Sequence, residues 1–329
     1  ASVRADYTIS FQLPKLSFFL PQSYAFTGEW VVVDIGLSRK FIRGLGTSYY
    51  YMVRKGAGRL LKKRSKFDHK GTFGHALLIS GSYGKMGACV LASRALLRSG
   101  AGLLTVHAPG CGYTIMQTAV PEAMFSADEN ETVFSSVTDV EKYTTIGIGP
   151  GLGQHPLTVS GIRKLLKGFQ KPMVIDADAL NILSANPALL HSIPAGSILT
   201  PHPKEFERLA GGWSNDFERL EKQQEMASKM KCVVVVKGAH TAVALPSGDV
   251  YFNSTGNAGM ATGGTGDVLT GIIAGLMAQH YEPEHAAVLG VYWHGLAGDF
   301  SSSFYTPESL IASDIPDALG PALKKLLEN

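Results

Sequence analysis

The sequence is poor in cysteine and has no long apolar run. Its three cysteines in 329 residues, Cys89, Cys111 and Cys232, match no metal-binding spacing and cannot all pair. This argues against a disulfide framework and favours a reducing compartment, so we expect a cytoplasmic protein. No apolar run reaches the ~18 residues that a membrane-spanning helix needs, and we find no signal peptide. We therefore expect no membrane partner.

A strong net charge is also lacking. The chain has 30 Lys and Arg against 27 Asp and Glu, a net charge of +3, which is too even to favour nucleic acid as a partner. Only 17% of residues are charged and 45% are hydrophobic, which excludes a disordered chain and a coiled coil. Glycine, in contrast, is abundant: 37 residues, about 11% of the chain against an average of ~7%. The excess indicates many tight turns, or backbone that a ligand approaches closely.

The first 70 residues differ in pattern from the rest. Alternating apolar residues in Ala1–Leu13 and the apolar run Trp30–Ile35 predict two strands. Residues 46–70 are rich in Lys and Arg, which predicts a solvated basic linker or helix. We place a domain boundary between about residues 44 and 70.

From His75 onward, short apolar runs alternate with amphipathic helical segments. This pattern predicts an α/β fold in which helices cover both faces of a largely parallel central sheet. In such sheets, ligands bind at the carboxyl ends of the strands. Six clusters of glycine or polar residues follow predicted strands: residues 81–87, 149–153, 176–178, 200–203, 237–241 and 263–267. We interpret them as the site of a large polar ligand that carries phosphate.

The last of these clusters directly precedes an apolar helix predicted at Val268–Gln279. Glycines allow several backbone N–H groups to point into one space, and the helix N-terminus adds a partial positive charge. Gly264, Thr265 and Gly266 therefore form a candidate anion hole for a phosphoryl group. Asp267 would accept the proton of a hydroxyl that attacks phosphorus. A simple helix cap is the alternative, but capping by Asp267 does not require three glycines and a threonine before it.

Two other clusters carry side chains suited to a phosphorylated ligand. Lys237 and Thr241, with the backbone of Gly238, either hold a nucleotide phosphate or form an ordinary loop that enters a hairpin. Asp176 and Asp178 either hold Mg²⁺ through water, bind ligand hydroxyls, or cap the following helix.

The remaining clusters have simpler interpretations as well. His202 lies between two prolines that restrict its backbone, so it is either a ligand-binding or a merely solvated loop histidine. Residues 149–153 are similar to a dinucleotide-binding fingerprint, but Gln154 occupies the position where that fingerprint needs a small residue. This disfavours a classical NAD-binding fold. Residues 81–87 include Lys85 but lack the spacing of a P-loop, so a plain strand-to-helix turn also explains them.

An ordered set of motifs runs from about residue 50 to the end of the chain. The motifs are Lys70-Gly71, Gly74-His75, Gly87-Ala88, Arg98–Leu103, Gly149–Gly153, Asp176–Asn181, Leu199–Pro203, Lys237–Thr241 and Gly256–Gly271. Together they resemble the ATP/ADP-dependent NAD(P)H-hydrate dehydratase family, which has a ribokinase-like fold. The resemblance implies a dehydratase domain at residues 71–329.

Residues 1–45 carry a second resemblance. Ala5–Phe11, Pro14-Lys15 and Val31–Gly36 are similar to the end of the NAD(P)H-hydrate epimerase domain, which lies upstream in bifunctional family members. Most of that domain is absent, so we expect the segment to be its C-terminal remnant or a docking segment. We also expect no epimerase activity, and we expect dehydratase turnover to survive deletion of Ala1–Gly44.

The dehydratase resemblance implies a repair reaction. (6S)-NADHX or (6S)-NADPHX, the hydrated forms of NADH and NADPH, would be phosphorylated on the added hydroxyl by ADP or ATP, and elimination of phosphate would restore the dinucleotide. Asp267 would be catalytic. The implied hydrate contacts are Ala88, Gly151, His202 and Asp267, and the implied nucleotide contacts are Lys237, Gly238, Ala239, His240, Thr241 and Gly266. Family members use Mg²⁺ and are often homotetramers; Asp176 and Asn181 are possible Mg²⁺ or ligand contacts, with no direct protein ligand to the metal assigned.

Two other functions share part of this pattern. A ribokinase-type kinase that acts on a small molecule, such as a vitamin hydroxyl, would use the same Asp267 and anion hole but would release a stable phosphorylated product. A nucleotide-binding regulatory domain would need no general base, so the intact Gly-Thr-Gly-Asp sequence argues against it.

Overall fold

The computed structural model describes residues 3–328 as a 10-stranded sheet covered by helices, with a two-stranded sheet beside it. Ala1 and Ser2, where the predicted N-terminal strand begins, and Asn329 lie outside the described residues. The strands in this range are β1 (Tyr7–Phe11), β2 (Glu29–Val33), β3 (Tyr49–Tyr51), β4 (His75–Ile79), β5 (Leu103–Ala108), β6 (Met124–Ala127), β7 (Thr145–Ile148), β8 (Met173–Ile175), β9 (Ile198–Leu199), β10 (Val233–Val236), β11 (Ala242–Ala244) and β12 (Val250–Phe252).

The large sheet has the order β3-β12-β11-β10-β9-β8-β7-β4-β5-β6. Neighbouring strands are parallel except at β11, which is antiparallel to both β10 and β12. The largely parallel central sheet predicted from the sequence is therefore confirmed. Along the chain, β5 and β6 are added on one side of β4, and β7, β8 and β9 are then added on its other side. Loops at the carboxyl ends of β4 and β7 consequently diverge, which opens the crevice where such sheets bind ligands.

Helices cover both faces of this sheet, as predicted. They are α1 (Tyr24–Thr27), α2 (Arg39–Gly44), α3 (Arg54–Leu60), α4 (Met86–Arg98), α5 (Tyr113–Ala119), α6 (Pro156–Gly168), α7 (Ala177–Ala185), α8 (Pro203–Ala210), α9 (Asp216–Met230), α10 (Thr265–Ala278), α11 (Pro283–Ser301) and α12 (Asp314–Leu327). Successive strand residues point to opposite faces: Leu78 belongs to the apolar core on the side of α4, α10, α11 and α12, whereas Leu77 and Ile79 belong to the core on the side of α6 and α7. None of the helices within residues 3–328 is both long and apolar enough to cross a bilayer.

Helix α10 lies at the centre of one face and is buried along nearly its whole length. It begins at Thr265, three residues before the predicted start at Val268. Threonine, glycine and aspartate favour helix ends over helix interiors, which is why the sequence pattern placed the start later. The N-cap position belongs to Gly264, so Asp267 lies in the first turn of α10 and is not its N-cap.

Residues 46–70, predicted as a basic linker or helix, contain the helix α3 and also a strand of the large sheet. β3 pairs in parallel with β12 at the sheet edge, and α3 buries Ala57 completely. Further along, Lys62 Nζ donates to the His280 carbonyl at 2.5 Å. The charge of this stretch did not predict β3 or the burial of α3, because the apolar residues between the charged ones are covered by elements that are distant in sequence.

Residues 3–45, here called the N-terminal segment, pack against the large sheet. β1 and β2 pair in parallel, and a short 3-10 turn between them inserts Phe19 and Leu20, which are 7% and 1% exposed. The Gln22 N–H donates to Asp216 Oδ2 at 2.8 Å, and the Asp216 N–H donates to Gln22 Oε1 at 2.9 Å. Apolar and polar contacts together therefore hold the segment on the molecule.

Candidate active site

The first turn of α10 lies at the carboxyl ends of β8 and β10. Its first three residues are Thr265, Gly266 and Asp267, and N–H groups at these positions have no partner inside a helix. Gly264 before them has φ +97°, a left-handed conformation that glycine adopts without strain. A methyl group at Gly264 would lie 2.6 Å from Leu91 Cδ1. The turn therefore presents free donors at the positive end of a 14-residue helix, the arrangement that binds phosphate.

Asp267 is half-buried in this turn, and its pKa is raised from 3.8 to about 7. Burial is the main cause, and the negative charge of Asp176 adds to it, whereas the ammonium of Lys237 opposes the shift. A carboxyl group that titrates near neutral pH is a much stronger proton acceptor than an ordinary aspartate. Asp267 is thus suited to act as a general base beside the anion hole.

Asp176 connects three elements below this turn. It is 1% exposed and accepts from Lys237 Nζ on Oδ1 and from Thr270 Oγ1 on Oδ2, each at 2.7 Å. The side chain makes no capping hydrogen bond to α7, although Asp176 occupies the N-cap position. A methyl group on Gly266 would lie 3.4 Å from Lys237 Nζ, so the buried carboxylate holds the ammonium against the anion hole. Thr270 was not predicted as a site residue; its signal in the sequence is a polar residue inside an apolar helix.

His202 begins α8 in a capping box with Glu205. His202 Nδ1 accepts from the N–H groups of Lys204 and Glu205 at 3.1 and 3.3 Å, and Glu205 Oε2 accepts from the His202 N–H at 2.8 Å. Because Nδ1 is an acceptor, the proton of neutral His202 is on Nε2, which lies 3.4 Å from Glu205 Oε1. Glu205 Oε2 also lies 4.0 Å from Lys237 Nζ. The predicted ligand histidine is therefore also a helix cap, and its side chain remains 46% exposed.

Ala88 and Gly151, the other two predicted hydrate contacts, lie against each other. A methyl group on Gly151 would lie 3.1 Å from Ala88 Cβ and 2.8 Å from the Lys85 carbonyl oxygen. Asp178 accepts from the Gly153 N–H at 2.8 Å and from Lys85 Nζ at 3.4 Å. The two glycine-rich loops therefore meet in one place, which Asp178 holds together.

The predicted nucleotide loop, residues 237–241, is closed by one of its own side chains. Thr241 Oγ1 donates to the Gly238 carbonyl at 3.0 Å and accepts from the Gly238 N–H at 3.2 Å. Thr241 is buried, whereas Gly238 and Ala239 are exposed. A phosphate that reaches this loop would meet the backbone at Gly238 and Ala239 and the ammonium of Lys237.

Two predicted site residues point away from the anion hole. Asn181 Oδ1 accepts from Arg208 Nη1 at 2.7 Å, which links α7 to α8 and engages the amide oxygen that a metal would need. The ring of His240 lies 5.3 Å, between centroids, from the ring of Phe19 in the N-terminal segment. The structure thus brings Asp267 and the anion hole together with Lys237, but it gives Asn181 and His240 other neighbours.

His294 in α11 is a neighbour of the site that the sequence analysis missed. Its Nε2 is buried without a hydrogen-bond partner in the described part of the chain. Burial lowers the pKa of His294 to about 4; the backbone of Thr265 opposes this shift and the ammonium of Lys237 adds to it. The ring is therefore neutral at physiological pH and lies behind the first turn of α10. A histidine within an apolar helix is the signal in the sequence.

Fold and site together define a class of protein. A doubly covered, largely parallel sheet and a glycine-rich helix N-terminus with a half-buried carboxyl group beside it are typical of the ribokinase-like fold. A ribokinase-like superfamily protein of Enterococcus faecalis has a TM-score of 0.77 and 29% identity and covers 87% of this chain and 99% of that one. The hydroxyethylthiazole kinase of Pyrococcus horikoshii shares this fold, with a TM-score of 0.53 over 82% of this chain and 92% of that chain, at 16% identity.

Closer relatives narrow the class. The NAD(P)H-hydrate dehydratase family model matches residues 76–319. The ADP-dependent (S)-NAD(P)H-hydrate dehydratase of Bacillus subtilis is 35% identical over 270 residues, which are 80% of this chain and 94% of that protein. A crystal structure of the B. subtilis ADP/ATP-dependent NAD(P)H-hydrate dehydratase, co-crystallized with ATP/Mg²⁺, has a TM-score of 0.73 and 31% identity and covers 84% of this chain and 98% of that one. The chain belongs to the NAD(P)H-hydrate dehydratase family.

Longer relatives also match the N-terminal segment. A bifunctional NAD(P)H-hydrate repair enzyme from Moorella thermoacetica is 37% identical over 336 residues, which are 99% of this chain and 63% of that protein. The corresponding enzyme from Coxiella burnetii is 37% identical over 320 residues, 95% of this chain and 63% of the relative. The chain therefore spans about two thirds or less of the bifunctional relatives that it matches.

Proposed function

We propose that this chain dehydrates the S form of hydrated NADH or NADPH, (6S)-NADHX or (6S)-NADPHX, at the expense of ADP or ATP. The observation that carries the proposal is the half-buried Asp267, with a pKa of about 7, in the first turn of a helix whose free N–H groups suit phosphate. Membership of the dehydratase family supports the substrate class.

The proposed reaction has two steps on one hydroxyl. In the first step, Asp267 accepts the proton of the hydroxyl on the hydrated nicotinamide ring. The oxygen of that hydroxyl bonds to the terminal phosphorus of the nucleotide, and the bond from this phosphorus to the bridging oxygen breaks. In the second step the carbon–oxygen bond breaks, phosphate leaves with the electron pair, and the adjacent ring carbon loses a proton. The ring double bond is restored, so the sum is loss of water coupled to hydrolysis of the nucleotide.

Each part of the site has one task in this scheme. The N–H groups of the first turn of α10, at Thr265 and Gly266, stabilise the transferred phosphoryl group, and Lys237 supplies a positive charge beside them. Residues 237–241 receive the nucleotide, with Gly238 and Ala239 as exposed backbone. The hydrate lies against Ala88, Gly151 and His202, on the side of the two glycine-rich loops.

A magnesium ion fits this site only as a companion of the nucleotide. Within residues 3–328, no group of three or more His, Cys, Asp or Glu side chains is arranged to hold a metal ion. Mg²⁺ is usually bound through one or two carboxylates plus substrate phosphates and water. Because both oxygens of Asp176 are engaged by Lys237 and Thr270 and Asp267 acts as the base, water and the nucleotide phosphates would hold the ion, with Asp176 as the nearby buried carboxylate. The ion would supply neutralising charge to the phosphoryl group.

The experiment that tests this function mixes the full chain with (6S)-NADHX, Mg²⁺ and either ADP or ATP. Recovery of the absorbance of the dihydronicotinamide, with one phosphate released per molecule restored, is the expected result. Omitting the nucleotide is the control and should abolish the recovery. A chain that consumes nucleotide but accumulates a phosphorylated small molecule would instead be a ribokinase-type kinase, the alternative that the shared fold favours.

The rate is expected to rise with pH through about pH 7, because only deprotonated Asp267 can accept the hydroxyl proton. Asp176→Asn removes a negative charge that raises the pKa of Asp267, so the acid limb of the kcat/KM profile should move to lower pH. Lys237→Met removes a positive charge that lowers this pKa, so the limb should move to higher pH. Shifts of both variants in the same direction would contradict Asp267 as the titrating base.

The oligomeric state and the cellular location stay predictions. The family resemblance implies a homotetramer, which light scattering on the purified chain would detect as about four times 35.1 kDa. A cytoplasmic location follows from the cysteine content and from the substrates proposed, and fractionation of cells would check it.

A further inference from the structure

Aromatic rings of the N-terminal segment and of the sheet edge surround one residue of the nucleotide loop. The ring of Phe19 is stacked on Tyr51 in β3, with centroids 4.8 Å apart, and on Phe252 in β12 at 5.0 Å. His240 meets the same ring edge-on at 5.3 Å. Trp30 in β2 lies 5.9 Å from Phe19 and 6.4 Å from His240. These five residues form what we call the aromatic cluster.

Backbone hydrogen bonds fix the two ends of the nucleotide loop: the Lys237 N–H donates to the Pro201 carbonyl at 3.0 Å, and the Thr241 carbonyl accepts from the Asn253 N–H at 3.0 Å. Gly238 and Ala239 are exposed and have almost no side chain to pack. The Thr241 hydroxyl closes the turn onto Gly238 but does not itself tie it to another element. His240 does so: its Nδ1 donates to the Asn253 carbonyl at 3.0 Å, and its ring fits into the aromatic cluster. Between the two fixed ends, His240 is therefore the residue whose side chain holds the loop.

Phe19 is the central member of this cluster. It contacts all four of the other rings, and it is 7% exposed although the N-terminal segment around it is largely exposed. The neighbouring Phe18 differs, since among these rings it meets that of Trp30 alone, at 5.5 Å, within the described residues. The bonds between Gln22 and Asp216 hold the same stretch of chain from the other side.

We propose that Phe19 is a positioning residue for nucleotide binding: the N-terminal segment inserts it against His240 and thereby holds residues 237–241 in the shape that receives ADP or ATP. This inference rests on the proposed function in one respect, namely that the nucleotide binds at this loop. The segment is then a working part of the dehydratase. Deletion of Ala1–Gly44, which a passive remnant would tolerate, should instead weaken nucleotide binding.

The test compares Phe19→Ala with Phe18→Ala in the full chain. Phe19→Ala should raise the KM for ADP or ATP, and the Kd for ADP measured by calorimetry, about three- to tenfold, the factor that aromatic contacts of this kind contribute. The KM for (6S)-NADHX should stay within twofold. Phe18→Ala should leave both constants unchanged. Equal rises in the two KM values, or no rise in the nucleotide KM, would overturn the proposal.

A double-variant cycle shows whether Phe19 acts through His240. His240→Ala alone should raise the Kd for ADP, and adding Phe19→Ala to it should change the Kd little further, because the contact between them is already lost. Additive effects would overturn the proposal. Should Phe19→Ala fail to fold, Phe19→Leu keeps an apolar side chain without the ring stacking and should show the same change in Kd, smaller in size.

The two proposals can fail separately. ADP binding by calorimetry needs no turnover, so it tests the role of Phe19 even in a chain that does not dehydrate the hydrate. A wild-type chain that binds ADP but leaves (6S)-NADHX unchanged would disprove the proposed function alone. Normal dehydration combined with an unchanged Kd in Phe19→Ala would disprove the role of Phe19 alone.

Discussion

Replacing Asp267 with asparagine is expected to lower turnover of the hydrate by roughly 10²–10⁴-fold, the usual contribution of a general base. The fold should be retained, because at neutral pH a carboxyl group with a pKa of about 7 is already protonated in a large part of the molecules and asparagine resembles that form. Turnover is measured by recovery of the dihydronicotinamide absorbance, and ADP binding by calorimetry should stay close to that of the wild type.

A matched control for this variant is Asp317→Asn. Asp317 lies on α12 and pairs with Arg94 at 2.9 Å on the outer surface, where it is more than half exposed. The same chemical change there should leave turnover within a factor of two. If Asp267→Asn also retained a near-normal rate, Asp267 would not be the base.

Gly264→Ala is expected to have the second largest effect. Alanine at φ +97° is strained by about 1–2 kcal/mol, and its methyl group would lie 2.6 Å from Leu91 Cδ1 and 3.0 Å from Ala312 Cβ. With overpacking included, the free energy of unfolding should fall by about 2–4 kcal/mol. The end of the Leu91 side chain can rotate away, but relief of the backbone strain at φ +97° moves the first turn of α10. We therefore expect kcat to fall by about 10²-fold, as when one donor of an anion hole is lost.

The adjacent Gly263→Ala offers the control. A methyl group at Gly263 meets nothing within 4 Å, and its φ lies outside the left-handed region. Denaturant unfolding and kcat should therefore both change little. Equal losses in Gly263→Ala and Gly264→Ala would mean that the loop as a whole, and not the geometry of the first turn, is what the substitution disturbs.

Local patterns in the sequence were sufficient for most of the fold. The alternation of apolar runs and amphipathic segments after His75 predicts the parallel strands and the helices on both faces, because burial on two faces requires it. The position of the ligand crevice follows from the same topology, since polar and glycine-rich turns at strand ends lie on one edge. Asp267 and the glycines before it are recognisable from spacing alone.

Elements whose stability comes from neighbours were harder to predict. β3 is three tyrosines at a sheet edge, and its pairing with β12, whose residues lie 201 positions further along the chain, is what makes it a strand. α12 contains Pro321, which argues against a helix by local rules, yet Trp293 Nε1 donates to the Leu319 carbonyl at 2.9 Å and α11 packs along it. Tertiary contacts outweigh weak local preference in both cases.

The sequence by itself therefore determined the class of fold, the set of strand-end loops and the glycine-rich turn with Asp267, because each depends on residues that are close along the chain. Only the tertiary structure decided which of these residues meet. Asp176 joins Lys237 and Thr270 across 61 and 94 positions, and Phe19 reaches His240 from the opposite end of the chain. These contacts depend on the order of the strands in the sheet and on the docking of the N-terminal segment. The spacing of apolar residues along the chain contains no information on strand order or on docking.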